Sequence, residues 1–203
     1  MTELARSSDN TAEQVVLLDE SGNAVGVADK AIVHHADTPL HLAFSCYLFD
    51  GAGRLLLSQR ALDKKTWPGV WTNSCCGHPG PGESVVESVQ RRLKDELGVR
   101  AHRIDLVLPR FRYRAVMDDG IVEHEMCPVF RAVTDDEPAP NPAEVASVRW
   151  TTWTKLIAQV SAAQFTVSPW CQLQLAELIT LGSSPDRWPA GDESDLPPAA
   201  RGC

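Results

Sequence analysis

The sequence has no long apolar run, little histidine and no excess of positive charge. No apolar segment approaches the roughly 18 residues that a membrane-spanning helix requires, so we expect no membrane contact. The formal charge of −8 at neutral pH argues against a nucleic-acid partner, because phosphate backbones are bound by clustered lysine and arginine. Any phosphate on a ligand must therefore be held locally, by a metal ion or by a few placed cations.

Cysteine is equally sparse, with six residues in 203. Cys75 and Cys76 are adjacent and the others are scattered, and the polar N-terminus carries no export signal. Without such a signal, this spacing does not indicate a secreted disulfide framework. We therefore expect reduced thiols, a cytoplasmic protein and no obligate protein partner.

Length and apolar content predict one compact domain. With 203 residues and a hydrophobic fraction of 43%, the chain can bury a substantial core without disulfides. We expect this domain at 15–181, with a flexible segment before it at 1–14 and a tail after it at 182–203. The tail is rich in Gly, Ser, Pro and Asp, a composition that predicts disorder.

Apolar periodicity and turn residues predict the elements of the domain. Three hairpins are expected, at Gln14–Asp19 with Ala24–Asp29, Leu42–Phe49 with Arg54–Arg60, and Ile104–Met117 with Ile121–Val133. Helices are expected at Ser84–Leu97, Thr152–Val160 and Trp170–Leu181, and a further strand at Val148–Thr151. This order predicts an α+β fold, with a mixed or antiparallel β-sheet core flanked by helices.

The few histidines lie close to carboxylates and to one thiol. Glu123 and Glu125 are two residues apart in a strand pattern and so face the same way, and Cys76 and His78 have the same spacing. A solvated strand face is the alternative for the two glutamates. The full set of three imidazoles and two carboxylates comprises His34, His41, His78, Glu123 and Glu125. Such a set suits a divalent ion such as Mn²⁺, Mg²⁺ or Zn²⁺, and a cation beside Cys76 would lower its pKa and enrich the thiolate.

A second motif resembles the Nudix box, in which a loop and a helix present carboxylates to Mg²⁺ on a diphosphate. The matching positions, at full spacing, are Gly77, Glu83 and Arg91–Val99. Arg92 and Asp95 replace two of the motif's glutamates, and the cation weakens the water-activating chemistry of a hydrolase. Glu96 keeps one metal contact, and Arg92 could meet phosphate directly. We interpret Arg91 and Asp95 as an ordinary surface ion pair.

Several stretches together resemble the metal-dependent, Nudix-like isopentenyl diphosphate isomerases over roughly 15–181. They are Leu40–Ser45, Lys64–Ser74, Cys76–Pro79, Phe111–Ala115 and Ser168–Trp170. The run Trp67–Ser74 followed by Cys76–Pro79 is the most specific of them. The resemblance implies a Nudix-like fold and the conversion of isopentenyl diphosphate to dimethylallyl diphosphate in isoprenoid biosynthesis, by protonation and deprotonation through a tertiary carbocation.

The resemblance also implies roles for individual residues. It implies a first divalent ion bound by His34, His41, His78, Glu123 and Glu125. A second ion, Mg²⁺, would join the substrate diphosphate to Glu96 and the backbone carbonyl of Cys76. The diphosphate-binding cations would be Lys30, Arg60, Lys64 and Arg92. Cys76 and Glu125 would be the opposed acid–base groups, with Tyr113 relaying a proton beside Glu125 and Trp170 facing the carbocation.

Two other functions fit part of this pattern. A Nudix hydrolase acting on nucleoside diphosphate derivatives is disfavoured by Arg92 and has no use for the pair of Cys76 and Glu125. A non-catalytic module that binds a diphosphate would need no intact set of five metal ligands. The sequence leaves open the identity of the first metal, the oligomeric state, and which of Cys76 and Glu125 is the acid.

Overall fold

Two β-sheets and three α-helices make up residues 13–201, the part of the chain that the computed structural model describes. The strands are β1 (Gln14–Leu18), β2 (Ala24–Asp29), β3 (His41–Leu42), β4 (Phe44–Asp50), β5 (Arg54–Arg60), β6 (Trp71–Thr72), β7 (Cys75–Gly77), β8 (Arg103–Leu108), β9 (Arg112–Val116), β10 (Val122–Met126), β11 (Val129–Thr134) and β12 (Val145–Thr152). The helices are α1 (Val85–Leu97), α2 (Trp153–Ser161) and α3 (Pro169–Leu178). This arrangement confirms the predicted α+β fold class. Within the described residues, no helix is both long enough and apolar enough to cross a bilayer.

The two sheets diverge from a shared junction. One sheet has the strand order β2-β1-β3-β10-β9, and the other has β12-β5-β4-β11-β8 with β6 and β7 paired to β5 and β4. Strands β3 and β4 follow each other directly, as do β10 and β11, so the chain crosses between the sheets twice at the same place. The crossings are joined by hydrogen bonds from the Ala43 amide to the Met126 carbonyl at 2.9 Å and from the Ser45 amide to the Pro128 carbonyl at 3.0 Å.

The first two predicted hairpins are confirmed, since β1 pairs antiparallel with β2 and β4 with β5. The third is confirmed in its antiparallel pairing, since β9 pairs with β10 and β8 with β11, but each of its two long strands is divided between the sheets. Pro109 and Pro128 lie at the two divisions, and proline cannot donate the amide hydrogen that a continuous ladder needs.

Helix α1 carries its own start and stop signals. Ser84 is the N-cap and forms a capping box with Glu87, which satisfies two amides of the first turn. Gly98 ends the helix at φ 69°, and a Cβ on it would lie 2.9 Å from the Ala139 carbonyl oxygen, so only glycine fits. The other two predicted helices are also found, displaced by about one residue at their starts.

Beyond α3, the structure differs from the disordered tail expected at 182–203. The chain forms short 3-10 turns at Ile179–Leu181, Pro185–Arg187, Glu193–Asp195 and Pro198–Ala200. Trp188 is buried between Phe49 and Trp153, with ring centroids 6.1 and 4.9 Å away, and Leu196 and Ala200 are buried in the core. Composition misses this packing because a few widely spaced apolar side chains are enough to anchor the segment. The flexible segment predicted at 1–14 lies outside the described residues except for its last two positions.

Replacement of Trp188 tests the packing of the tail. Trp188→Ala removes a large buried ring, and we expect the free energy of unfolding in urea to fall by about 3 kcal/mol or more. Leu173→Ala is the control, since that side chain is 48% exposed and its loss should cost less than about 1 kcal/mol. An effect of Trp188→Ala no larger than that of the control would mean that the tail does not pack on the domain.

Candidate active site

A cavity of about 550 Å³, lined by ionisable and aromatic side chains, opens beside the junction of the two sheets. The junction strands supply the chemistry, because β10 contributes Glu123 and Glu125 and β7 contributes Cys76. Helix α1 contributes Arg92 and Glu96 from the side of the helix that faces the core. Residues that are far apart in the sequence thus meet around one space, as a ligand-binding cavity requires.

Three imidazoles and one carboxylate converge at the inner end of the cavity. The ligating atoms of His34, His41, His78 and Glu125 all lie within 4.8 Å of one another. His41 Nδ1 is hydrogen-bonded to the Pro39 carbonyl at 2.9 Å, which orients its Nε2 towards the cluster. Among residues 13–201, the buried ring nitrogens without a hydrogen-bond partner are His34 Nε2, His41 Nε2 and His78 Nδ1. Each unpaired nitrogen is costly, and a divalent cation is the partner that this set of donors fits.

The protonation states of His34, His78 and Glu125 also favour the binding of a cation. Burial lowers the pKa of His34 to about 3 and that of His78 to about 4, so both rings are neutral, the form that ligates metals. Burial also lowers the pKa of His41, but the Glu125 carboxylate, 3.5 Å from its Nε2, outweighs burial and raises it. Burial raises the pKa of Glu125, yet the proximity of His41 and the hydrogen bond with His78 at 3.1 Å hold it well below its usual range. An ionised carboxylate therefore lies among the three rings.

Glu123 lies beside this group but not in it. The Tyr113 hydroxyl is 2.7 Å from Glu123 Oε2 and 2.9 Å from Glu125 Oε2. Since a phenol has one proton and two carboxylates face it, the three side chains share protons. Burial and the charge of Glu125 raise the pKa of Glu123 to about 7. Glu123 and Glu125 both contact Tyr113, as expected from the alternation of side chains along a strand. The role of Glu123 as a fifth metal ligand stays a prediction.

The Cys76 thiol lies on β7, partly buried beside two polar side chains. Its Sγ is 3.4 Å from Ser45 Oγ and 3.3 Å from Asn73 Oδ1. Burial raises the pKa of this thiol to about 12, although both hydrogen bonds act in the opposite direction. Withdrawal from water has the larger effect, so burial favours the protonated thiol. Enrichment of the thiolate by a neighbouring cation stays a prediction.

Asn73 connects the thiol to the aromatic wall of the cavity. No sequence signal predicted this role for Asn73. Its Oδ1 also accepts a hydrogen bond from the Trp170 indole at 3.1 Å, and its amide nitrogen donates to the carbonyls of Cys46 and Cys75 at 3.1 and 2.8 Å. The Trp170 ring lies 5.9 Å from the ring of Tyr113. No periodicity marks a fully buried asparagine of this kind, because its partners come from distant segments.

The four predicted diphosphate-binding cations, Lys30, Arg60, Lys64 and Arg92, line the same cavity. Arg60 donates to the Thr66 carbonyl at 2.8 Å, with its guanidinium carbon 5.7 Å from the Trp170 ring centroid. Arg92 forms a buried ion pair with Glu96 at 2.6 Å. Lys30 pairs with Glu13 at 2.5 Å and Lys64 with Glu144. The outer part of the cavity thus contains four cationic side chains. Both ammonium groups, those of Lys30 and Lys64, are paired with a carboxylate.

One predicted ion pair is wrong. Arg91 does not pair with Asp95 but binds Glu83 with two nitrogens, at 2.7 and 2.8 Å. Glu83 lies in the loop before α1, where the chain turns back along the helix, and a two-point contact of this geometry is stronger than a single exposed pair. Arg91 therefore fixes the loop to the helix. No sequence signal marks Glu13 or Glu144, which are isolated acidic residues outside any motif.

Comparisons with known proteins find relatives that match most of the chain. A NUDIX domain profile matches residues 39–171. A protein from Saccharopolyspora erythraea named isopentenyl-diphosphate Delta-isomerase is 62% identical over 93% of this chain and 97% of its own length. A protein of the same name from Rhizobium rhizogenes is 49% identical over 96% of this chain and 93% of its own length. A crystal structure from Deinococcus radiodurans matches with a TM-score of 0.60 at 20% identity, over 79% of this chain and 96% of its own; it shows a shared fold alone.

Removal of one imidazole tests whether the cluster binds a metal. We expect His41→Ala to lose the divalent ion that the unaltered protein retains through dialysis, because the ring is fully buried and pre-oriented by Pro39. Elemental analysis of both proteins measures this loss. His102→Ala is the control, since that side chain is 52% exposed and pairs only with Asp135. Equal metal contents in His41→Ala and the control would exclude His41 as a ligand.

Proposed function

We infer the function from a premise that the relatives establish: the chain belongs to the isopentenyl-diphosphate Delta-isomerase family and carries its NUDIX domain. It is an isomerase that converts isopentenyl diphosphate to dimethylallyl diphosphate, a step of isoprenoid biosynthesis. The observation that carries the proposed mechanism is that Cys76 and the Tyr113–Glu125 pair line one cavity with Trp170. Its location in the cytoplasm and its action without a protein partner stay predictions of the sequence.

The reaction requires two proton transfers, one to the terminal carbon of the alkene and one from the carbon nearer the diphosphate. Adding the first proton gives a tertiary carbocation, and removing the second forms the new double bond. The protein must therefore supply two acid–base groups that reach the substrate. We assign these roles to the Cys76 thiol and the Glu125 carboxyl group. Tyr113, within hydrogen-bond distance of Glu125 and Glu123, relays the proton on the carboxylate side.

The carbocation needs stabilisation without a nucleophile. The Trp170 indole is held by Asn73 and by edge contact with Trp67 at 5.5 Å, so its face is fixed in the wall of the cavity. An aromatic face stabilises a desolvated cation by about 2 kcal/mol and cannot trap it as water would. The same wall excludes water from the reacting carbons.

The buried cluster would hold a divalent ion, Mn²⁺, Zn²⁺ or Mg²⁺, through His34, His41, His78 and Glu125, with Glu123 beside it. Such an ion would supply a fixed positive charge that keeps the Glu125 carboxylate in place and biases its proton affinity. Glu96 and the backbone carbonyl of Cys76 would hold Mg²⁺, which would neutralise part of the charge of the substrate diphosphate. Lys30, Arg60, Lys64 and Arg92 bind the remaining phosphate oxygens.

Hydrolysis of a nucleoside diphosphate derivative is the less favoured function. Arg92 is buried and pairs with Glu96 and Glu144 at 2.6 and 3.2 Å, so it occupies the site where a hydrolase would place a water-activating carboxylate. The side chain of Glu96 is thereby tied to a cation. These contacts support binding of the diphosphate rather than its cleavage.

The proposed reaction is tested by its product. With isopentenyl diphosphate and Mg²⁺ in D₂O, we expect NMR to show dimethylallyl diphosphate with deuterium in its new methyl group, because the added proton comes from groups that exchange with solvent. Released phosphate should stay at the level of a protein-free control. Phosphate release without a moved double bond would indicate the hydrolase instead.

Replacement of the thiol tests the proton-transfer roles. Cys76→Ser keeps size and hydrogen-bond partners, but a hydroxyl is a much weaker acid, so we expect turnover to fall by at least about 10²-fold while metal content and KM are retained. Cys75→Ala is the control, because the neighbouring thiol is buried in the core on the other face of β7. Turnover of Cys76→Ser within a few-fold of the parent would remove Cys76 from the mechanism.

A further inference from the structure

Glu144 places one carboxylate oxygen between two cations of the cavity. Its Oε2 is bonded to the Lys64 ammonium and lies 3.2 Å from a terminal nitrogen of Arg92. The same Arg92 nitrogen lies 2.6 Å from Glu96 Oε1. An oxygen that bridges an ammonium and a guanidinium has the place that a phosphate oxygen would take between these groups.

The backbone holds Glu144 at this place. Its amide donates to the Asn141 carbonyl at 2.9 Å, and its carbonyl accepts from the Ala61 amide at 3.0 Å. The loop before it is fixed to the end of α1, because the Ala139 and Asn141 amides donate to the carbonyls of Leu97 and Glu96, each at 2.8 Å. Loop 135–144 therefore uses the unpaired carbonyls of the helix that carries Arg92, and the carboxylate and the guanidinium are set by the same contacts.

The position of Glu144 creates competition for the two cations. Lys64 and Glu144 are partly exposed to the cavity, with side-chain exposures of 28% and 24%. A diphosphate that binds Lys64 and Arg92 must share their N–H groups with this carboxylate or displace it. Two anions at the same cations repel each other, and this repulsion opposes binding of the ligand.

We propose that Glu144 is a specificity-determining residue that acts as a resident counter-ion for Lys64 and Arg92. It satisfies both cations while the cavity is empty and weakens the binding of anions that cannot displace it. The inference rests on the proposed function, which assigns these two cations to the diphosphate. A residue of this kind opposes ligand binding, so that its removal tightens the complex, whereas a residue that positions the cations would weaken it when removed.

The test uses inorganic pyrophosphate as the probe and isothermal titration calorimetry of the full-length protein at a fixed Mg²⁺ concentration. At low salt we expect Glu144→Gln to lower the Kd for pyrophosphate by about fivefold or more, and at about 0.5 M salt the gain should largely vanish through screening. Glu137→Gln is the matched control. It makes the same change in the same loop, and Glu137 is exposed, with no side-chain hydrogen bond or ion pair among residues 13–201. Its Kd should equal that of the parent.

A second variant and a double-mutant cycle test the same interpretation independently. Glu144→Ala removes the same charge and must give a gain of the same sign, which covers the case in which Glu144→Gln folds poorly. In a Lys64→Gln background the gain from Glu144→Gln should shrink, since one of the two contested cations is then absent. Unchanged or weaker pyrophosphate binding by folded Glu144 variants overturns the inference and leaves the proposed function intact. Failure of the parent protein to bind pyrophosphate overturns the inference together with the assignment of Lys64 and Arg92 to the diphosphate.

Discussion

The burial of polar groups at the junction of the two sheets is the constraint on which the rest of the structure depends. His41, Glu123 and Glu125 are each at most 5% exposed, and three imidazole nitrogens nearby have no hydrogen-bond partner. Burying such groups is unfavourable unless they are paired. Strands β3 and β10 are parallel neighbours, with Glu125 opposite His41. The strand pairing therefore brings the carboxylate of β10 to the imidazole of β3. A divalent ion would complete the pairing of these polar groups.

The cavity has two regions with different chemistry, and the structure links them. The inner region holds the groups to which we assign the proton transfers, and the outer region holds the cations that we assign to the diphosphate. Asn73 ties the Cys76 thiol to the Trp170 indole, and Arg60 lies against the same indole while it lines the cationic region. A substrate anchored by its diphosphate would therefore meet a thiol, an aromatic face and a carboxylate whose positions are already fixed, which favours an unactivated alkene reacting without large rearrangement.

Local signals predict local features well. The serine and glutamate of a capping box and a terminal glycine give α1 to within one residue, and the alternation of β10 gives the common face of Glu123 and Glu125. The division of the third hairpin between two sheets depends on how distant strands compete for partners, although Pro109 and Pro128 mark the places. Glu144, Asn73 and Trp188 could not be assigned from the sequence, because each has a partner from a distant segment: Arg92 for Glu144, Trp170 for Asn73 and Phe49 for Trp188. The motif-based resemblance supplied the cavity residues that periodicity could not.

The central claim is that a divalent ion completes the buried cluster. Anomalous diffraction at the Mn²⁺ absorption edge, from crystals of the protein supplied with that ion, measures it directly. The account predicts one strong peak within about 2.0–2.3 Å of nitrogen or oxygen atoms from His34, His41, His78 and Glu125, with no sulfur ligand. A cluster that contains only water, or a peak bound to the Cys76 thiolate instead, would contradict it.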